Sequence, residues 1–372
     1  MTVSTKPRLI AYYLPQYHPI PENDAWWGSG FTEWTNVAKA KPLFKGHYQP
    51  HIPADLGFYD LRLPEARQAQ ADLAREYGIS GFCYWHYWLG GRRLLERPFN
   101  EVLTSGEPDF PFCLAWANHS WTGTWFGAPD KVLVEQTYPG KEDIKAHFDT
   151  LLPAFRDQRY IQVDGKPFLA VFQPSDLTTD MLAYWNELAV KAGLKGIYWV
   201  GIIKNTQEGE HIRKIGFDAC TISRTNGRGT TTSPLKKLLV KWRGEKRAAV
   251  LYQKIFKRPF HTYVYNRLQP YIDVKPGLNL DFFPCVMPNW DNTPRAGLDG
   301  QVFMASSPAV FQQHLHKALE RVKDADPDRQ IVIVKSWNEW AEGNHLEPDQ
   351  RDGRGYLEAI RSELAQYRER NA

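Results

Sequence analysis

Ser336-Trp337-Asn338-Glu339-Trp340-Ala341-Glu342-Gly343 sets two carboxylates three residues apart among indole rings, directly after the apolar run Ile331-Val332-Ile333-Val334. Paired carboxyl groups are the equipment of glycosidic bond cleavage. One protonates the departing oxygen, and the other serves the anomeric carbon as base or nucleophile. Flat rings beside them suit the apolar faces of sugars. Glu339 and Glu342 are therefore the candidate catalytic pair. Charged residues mostly stay in solvent, so the reading rests on the setting. A run rich in β-branched residues reads as a buried parallel strand, and α/β folds place their chemistry beyond the C-terminal ends of such strands.

The elements that must hold this pair follow from periodicity. Apolar runs at 9–14, 79–85, 112–117, 168–172, 197–203, 217–222, 282–287 and 331–337 read as eight strands. Between them lie helical patterns at 63–77, 142–155, 179–192 and 308–322, with a closing helix at 355–367. This alternation predicts an α/β fold, one (β/α)8 barrel spanning residues 1–372, with long insertions at 15–61 after the first strand and 224–277 after the sixth. Connections of that length in a compact domain are usually functional.

Aromatic and polar residues gather at the predicted strand ends, including 11 of the 14 tryptophans. Tyr13, Gln16, His18 and Trp34 accompany the first strand, Trp85, His86 and Trp88 the second, and Trp116, Asn118 and Trp125 the third. Gln173 follows the fourth, Asn289, Trp290 and Asp291 the seventh, and Asn338 and Trp340 the eighth. An aromatic pocket with a few converging hydrogen-bonding groups suits an oligosaccharide or polysaccharide, so these residues are the candidate substrate-binding set.

Composition bounds the alternatives. A 372-residue chain with 42% hydrophobic and 24% charged residues is ordinary for a globular protein, and a net charge of +4 does not indicate a nucleic-acid partner. Cys83, Cys113, Cys220 and Cys285 each lie in an apolar stretch and read as buried thiols. No HExxH, GxGxxG or phosphate-loop pattern is present, so neither a metal nor a cofactor is expected. Asp324-Ala325-Asp326 enters the eighth strand at its N-terminal end, the wrong face of a barrel for a metal-bound sugar nucleotide. The first residues lack the apolar core of a signal peptide, and no run reaches membrane-spanning length, so a cytoplasmic location is expected.

One segment departs from this balance. Residues 234–258 carry nine Lys and Arg against the single acid Glu245, net +8, interleaved with Leu235, Leu238, Leu239, Val240, Trp242, Leu251, Ile255 and Phe256. That is the pattern of a basic amphipathic hairpin, a candidate for peripheral contact with an anionic membrane.

Several stretches together resemble a known family. They are Ala11-Tyr12-Tyr13-Leu14-Pro15-Gln16-Tyr17-His18-Pro19, Gly30-Phe31-Thr32-Glu33-Trp34, Gln49-Pro50-His51, Gly81-Phe82-Cys83-Tyr84-Trp85-His86-Tyr87-Trp88 and the acid-bearing segment. They resemble the bacterial WbsX-like family, itself similar to glycoside hydrolase family 99, the endo-α-1,2-mannosidases. The resemblance covers nearly the whole chain and implies a (β/α)8 barrel acting on O-antigen or other surface polysaccharides. It also implies roles for the acids. Glu339 would take the proton from the sugar's own 2-hydroxyl, which attacks the anomeric carbon to give a 1,2-anhydro sugar. Glu342 would protonate the departing oxygen and then activate the water that opens the anhydro ring, with net retention. Mannose specificity is not carried over, because the subsite loops differ. Members of the WbsX-like family were once labelled glycosyltransferases, which leaves transfer open beside hydrolysis.

Overall fold

The computed structural model describes residues 7–123, 128–222, 233–267 and 278–371. Nine short strands lie on one sheet path: β1 (Arg8–Tyr13), β2 (Gly81–Leu89), β3 (Phe112–Trp116), β4 (Lys166–Val171), β5 (Tyr198–Ile203), β6 (Ala219–Ile222), β7 (Asp281–Phe282), β8 (Cys285–Val286) and β9 (Ile331–Val334). Their spatial order is β7-β6-β5-β4-β3-β2-β1-β9-β8, and every pair along it is parallel. Strands β2, β3, β5, β6 and β9 are buried at every residue, as expected of strands covered on both faces.

Chain order and sheet order disagree at one informative place. β7 and β8 form the two edges of the path, yet only Phe283 and Pro284 separate them. The Phe283 N–H donates to Cys220 O at 2.9 Å on one side, and Pro284 O accepts from Ile333 N at 2.9 Å on the other. Proline cannot donate to a ladder, so the seventh predicted strand, 282–287, is divided in two. The expected eight-strand barrel is thus met as a curled parallel sheet with nine strands on its path.

Helices fill the connections. Pro64–Glu76, Lys141–Phe155, Thr179–Lys191, Pro308–Val322 and Gly355–Arg370 correspond to the predicted ones, while Arg97–Ser105 and Thr206–Ile215 were not foreseen. Pro308–Val322 shows why they form. Ser307 caps it by accepting from Val310 N, Pro308 occupies the first turn, and Phe311, His314, Leu315, Ala318, Leu319 and Val322 form the buried stripe. The first long insertion folds into Pro21–Trp27 and Glu33–Lys39, and the described part of the second into Pro234–Arg243 and Glu245–Phe256. Among the described residues no helix is long and apolar enough to cross a membrane. The four cysteines are free and buried. Asp324 and Asp326 lie in the turn entering β9, where Asp326 pairs with Arg329 at 3.1 Å.

Candidate active site at the end of β9

Beyond β9 the chain makes a tight hairpin. Asn338–Glu339 pairs antiparallel with Asn344–His345, and Trp340–Glu342 turns between them. Gly343 closes the turn at φ 57°, and a Cβ there would stand 3.0 Å from Asp291 Cβ and 3.2 Å from Asp291 N. Only glycine supplies both the left-handed backbone and the close approach. The approach lets Asp291 N donate to Glu342 O at 2.6 Å. Asn338 fixes the other limb, since its Oδ1 accepts from Leu14 N at 2.7 Å and its Nδ2 donates to Leu14 O at 3.1 Å. The acids are thereby referenced to β1 as well as to β9.

Their partner is a residue that no motif announced. Arg295, from the short helix Thr293–Ala296, donates from Nη1 to Glu342 Oε1 at 2.6 Å and from Nη2 to Glu339 Oε2 at 3.1 Å. The same guanidinium reaches Glu33, Nε to Oε1 at 3.1 Å and Nη2 to Oε2 at 2.8 Å. Glu33 is fully buried and also accepts from Asn36 Nδ2 at 2.8 Å. Three carboxylates thus share one cation. Burial, with the charges of Glu342 and Glu33 adding to it, outweighs Arg295 and Lys335 and pushes the Glu339 carboxyl up to about 7. Glu342 has the more exposed side chain of the two acids, 17% against 8%.

Both acids and Arg295 line a cavity of about 540 Å³. Trp27, Trp85, Trp121 and Trp290 are its indole walls, with Gln16 and Lys335 among the polar groups. Trp85 stacks on Tyr12 at 4.8 Å between centroids, Trp121 meets Tyr87 edge-on at 5.2 Å, and Lys335 Nζ sits 4.3 Å over the Trp290 ring. Gln16 Nε2, Trp85 Nε1 and Trp290 Nε1 are buried donors with no hydrogen-bond partner among the described residues. Unpaired donors in an aromatic cavity match a ligand that carries acceptor oxygens.

Other sequence candidates lie behind this surface. Tyr13 donates to Gln70 Oε1 at 2.6 Å, His18 Nδ1 lies 3.0 Å from Pro15 O, and Trp34 donates to Tyr59 O at 2.8 Å. His86 meets His147 at 2.8 Å between Nε2 atoms, and burial holds both imidazoles well below the ordinary histidine range. Trp88 stacks flat on His147 at 4.6 Å, and Trp116 donates to Trp88 O at 3.0 Å. Asn118 locks to Gln173, its Nδ2 on Gln173 O at 2.9 Å and its Oδ1 accepting from Gln173 N at 2.7 Å. Asn289 Oδ1 is buried without a described partner. Trp340 is fully buried against His345 at 3.8 Å and donates to Glu347 Oε2 at 2.6 Å. Trp125 lies outside the described residues.

Asp291 links the acid turn to the first insertion. Its Oδ2 accepts from His47 Nε2 at 2.6 Å and Gln49 Nε2 at 2.8 Å, and its Oδ1 from Thr293 Oγ1 at 2.6 Å. Leu43 N donates to His47 Nδ1 at 3.0 Å, which leaves the ring proton on the nitrogen facing Asp291. Burial works to raise the Asp291 carboxyl, but the His47, Thr293 and Gln49 bonds prevail and hold it below its ordinary value. Asp291 thereby sets the start of the helix that presents Arg295.

Residues 9–360 match the family described as glycosyltransferase WbsX. The chain belongs to that family. Two WxcX proteins of Xanthomonas campestris pv. campestris, both described as uncharacterized, are 36% identical to it over 361 residues, or 96% of this chain. The chain spans about half the length of these curated relatives, 49% of each. Among solved structures, a GH99 endo-alpha-mannosidase from Bacteroides thetaiotaomicron is similar at a TM-score of 0.58 and 14% identity, covering 98% of this chain and 99% of that one. A chain described as a glycoside hydrolase-like protein matches at a TM-score of 0.58 and 12% identity, over 98% and 95% of the two chains. At such identities the likeness is one of fold, and the WbsX chain shares the GH99 architecture from end to end.

Proposed function

We propose that this WbsX-family protein cleaves a glycosidic bond in a bacterial surface polysaccharide or lipid-linked oligosaccharide of the O-antigen type, acting within the glycan and with retention. The observation that carries the reading is Arg295 holding Glu339 and Glu342 on one wall of a tryptophan-lined cavity. In this reading Glu339 is the base. A carboxyl whose midpoint lies near 7 is matched to removing a hydroxyl proton at neutral pH. The proton comes from the substrate's own 2-hydroxyl, whose oxygen closes on the anomeric carbon as the glycosidic bond breaks. Glu342, the more exposed acid, delivers a proton to the leaving oxygen and then draws one from the water that opens the 1,2-anhydro ring. The curled sheet supports a (β/α)8 barrel reading, with 281–286 serving as one interrupted stave. Digestion of a panel of surface polysaccharides, with products read by mass spectrometry, tests the activity. Intact polymer across a panel that includes 2-hydroxyl-bearing linkages in the equatorial and axial series would overturn it.

The family's description supports a second reading, transfer, in which an acceptor sugar hydroxyl replaces water in the second step. Added acceptor oligosaccharides separate the two, because transfer gives longer products and hydrolysis gives free reducing ends.

We also propose that the basic hairpin meets an anionic lipid surface. Six of the eleven exposed large hydrophobics among the described residues, Leu235, Leu238, Trp242, Val250, Ile255 and Phe256, lie on it. Among its described residues only Lys236 and Ala248 are buried within its two helices. Gln253 donates to Leu298 O at 2.8 Å, and strand His261–Val264 runs parallel to Gln301–Met304. These contacts set the hairpin beside the helix that carries Arg295, where a lipid-linked glycan would enter.

A further inference from the structure

Away from the cavity wall, His51, His345 and Asp349 bring three ligand atoms together, all buried. His51 Nδ1 lies 3.2 Å from Asp349 Oδ2 and 3.2 Å from His345 Nε2, and the latter two are 3.8 Å apart. The rest of each donor set is already committed. His345 Nδ1 lies 2.8 Å from Glu347 O, a carbonyl that can only accept, so this nitrogen carries the ring proton and Nε2 presents its lone pair. Asp349 Oδ1 accepts from Arg351 N at 3.0 Å and Asp352 N at 2.7 Å, which leaves Oδ2 alone turned toward the imidazoles.

Counting protons exposes the difficulty. Two lone-pair atoms, His345 Nε2 and Asp349 Oδ2, both address His51 Nδ1, which holds at most one hydrogen. One of the two 3.2 Å contacts is therefore unbonded, or one proton is split between them. A cation placed among the three resolves this, since each atom then donates a lone pair to it. Two imidazoles and one carboxylate oxygen are a donor set suited to zinc-class divalent ions. A backbone carbonyl on the far nitrogen and amides on the second carboxylate oxygen are the outer contacts that orient such ligands.

We infer that His51, His345 and Asp349 form a binding site for a divalent transition-metal ion of the zinc class. Water completes its coordination. His51 comes from the first insertion, while His345 pairs with Asn338 in the acid hairpin and stacks on Trp340. The ion would pin the insertion to the back of the hairpin that presents Glu339, a positioning role rather than one in bond cleavage.

The test uses the full chain and needs no substrate. Protein stripped by a chelator is incubated with Zn²⁺, freed of excess by gel filtration, and assayed for metal and melting temperature. Wild type should retain roughly one ion per chain and melt higher than the stripped form, since an ion bound only by the fold stabilises it. Asp349→Asn and His51→Phe, each checked for native circular dichroism, should lose that retention. His316→Gln, a half-exposed histidine elsewhere, should keep it. If the site variants do not fold, Co²⁺ in wild type decides, because His and carboxylate ligation gives visible bands absent from the aquo ion. No retention by wild type, aquo-like cobalt spectra, or retention undiminished in both site variants would each reduce the cluster to a hydrogen-bonded network and overturn the inference.

Discussion

Arg295 and Glu33 stand 262 positions apart in the chain and meet end to end, Nε on Oε1 at 3.1 Å and Nη2 on Oε2 at 2.8 Å. This two-pronged pairing fixes the guanidinium plane, and the remaining donors then fall on Glu339 and Glu342. Glu33→Gln removes a negative charge that helps raise the Glu339 carboxyl. The Glu339 midpoint should fall below about 7, and melting temperature should drop with the loss of charge-assisted bonds worth about 1.5–3 kcal/mol. Carbon-13 NMR titration of the glutamate carboxyls reads this directly, and an unmoved midpoint would contradict it.

Replacing Arg295 by Met works in the opposite direction. Three carboxylates lose their shared cation, so the Glu339 carboxyl should rise further above its ordinary value. Removing one member of a buried ion pair costs about 3–5 kcal/mol. Denaturant unfolding should show a loss that grows as pH rises through and above about 7, where wild-type Glu339 gives up its proton beside Arg295. In acid Glu339 is protonated in both proteins, and the deficit should shrink.

Glu339→Gln and Glu342→Gln should each lower turnover by about 10²–10⁴-fold while leaving the fold intact. For wild type, kcat/KM should climb as pH rises through about 7, because a base is active only once its proton is gone. A profile flat between pH 5 and 8 would remove Glu339 from that role.

The tryptophans should divide into two groups. Trp27→Ala or Trp121→Ala, on the cavity wall, should weaken glycan binding by about 0.5–1.5 kcal/mol with little change in melting temperature. Trp340→Ala, in the buried layer beneath, should cost about 3–5 kcal/mol of stability. Calorimetric binding and thermal melts on the same preparations decide the assignment, and identical behaviour of the groups would refute it.

Vesicle co-sedimentation examines the basic hairpin. Binding should require anionic lipid, fade as salt rises, and vanish when the exposed Lys237, Lys241, Lys246 and Lys254 become Gln together, each basic residue contributing ~1 kcal/mol near an anionic leaflet. Lys236 is left out. Its Nζ is spent on Phe260 O at 2.6 Å and Thr262 Oγ1 at 2.7 Å, and burial lowers it to about 8. Equal recovery with neutral vesicles would return the hairpin to a solvated surface role.

Most strands were legible because they are short, apolar and largely buried on both faces, and the paired glutamates because they directly follow one. Other features depend on contacts that local sequence does not encode. Arg295 sits in Thr293-Pro294-Arg295-Ala296, where Pro294 marks a helix start but nothing marks the arginine. His51 and His345 are 294 positions apart, so a search for closely spaced ligands passes over them. Trp88, Trp116 and Trp340 fall at strand ends as the pattern required, yet their rings turn inward onto His147, Trp88 and His345. Position along a strand says where a side chain starts, and packing decides which way it faces.

β1 lies between β2 and β9, with Arg8 registered against Ile331 and Ile10 against Gly81. During synthesis the β1–β2 pair can form early, but one flank of β1 stays open until the chain has been made past residue 334. Ties of such span close slowly. The acids follow that last strand, and their hairpin is referenced to Leu14. A nascent chain therefore carries Trp27, Trp85 and Trp121 of the cavity wall long before Glu339 and Glu342. The cavity gains its acidic wall only when the chain is nearly finished.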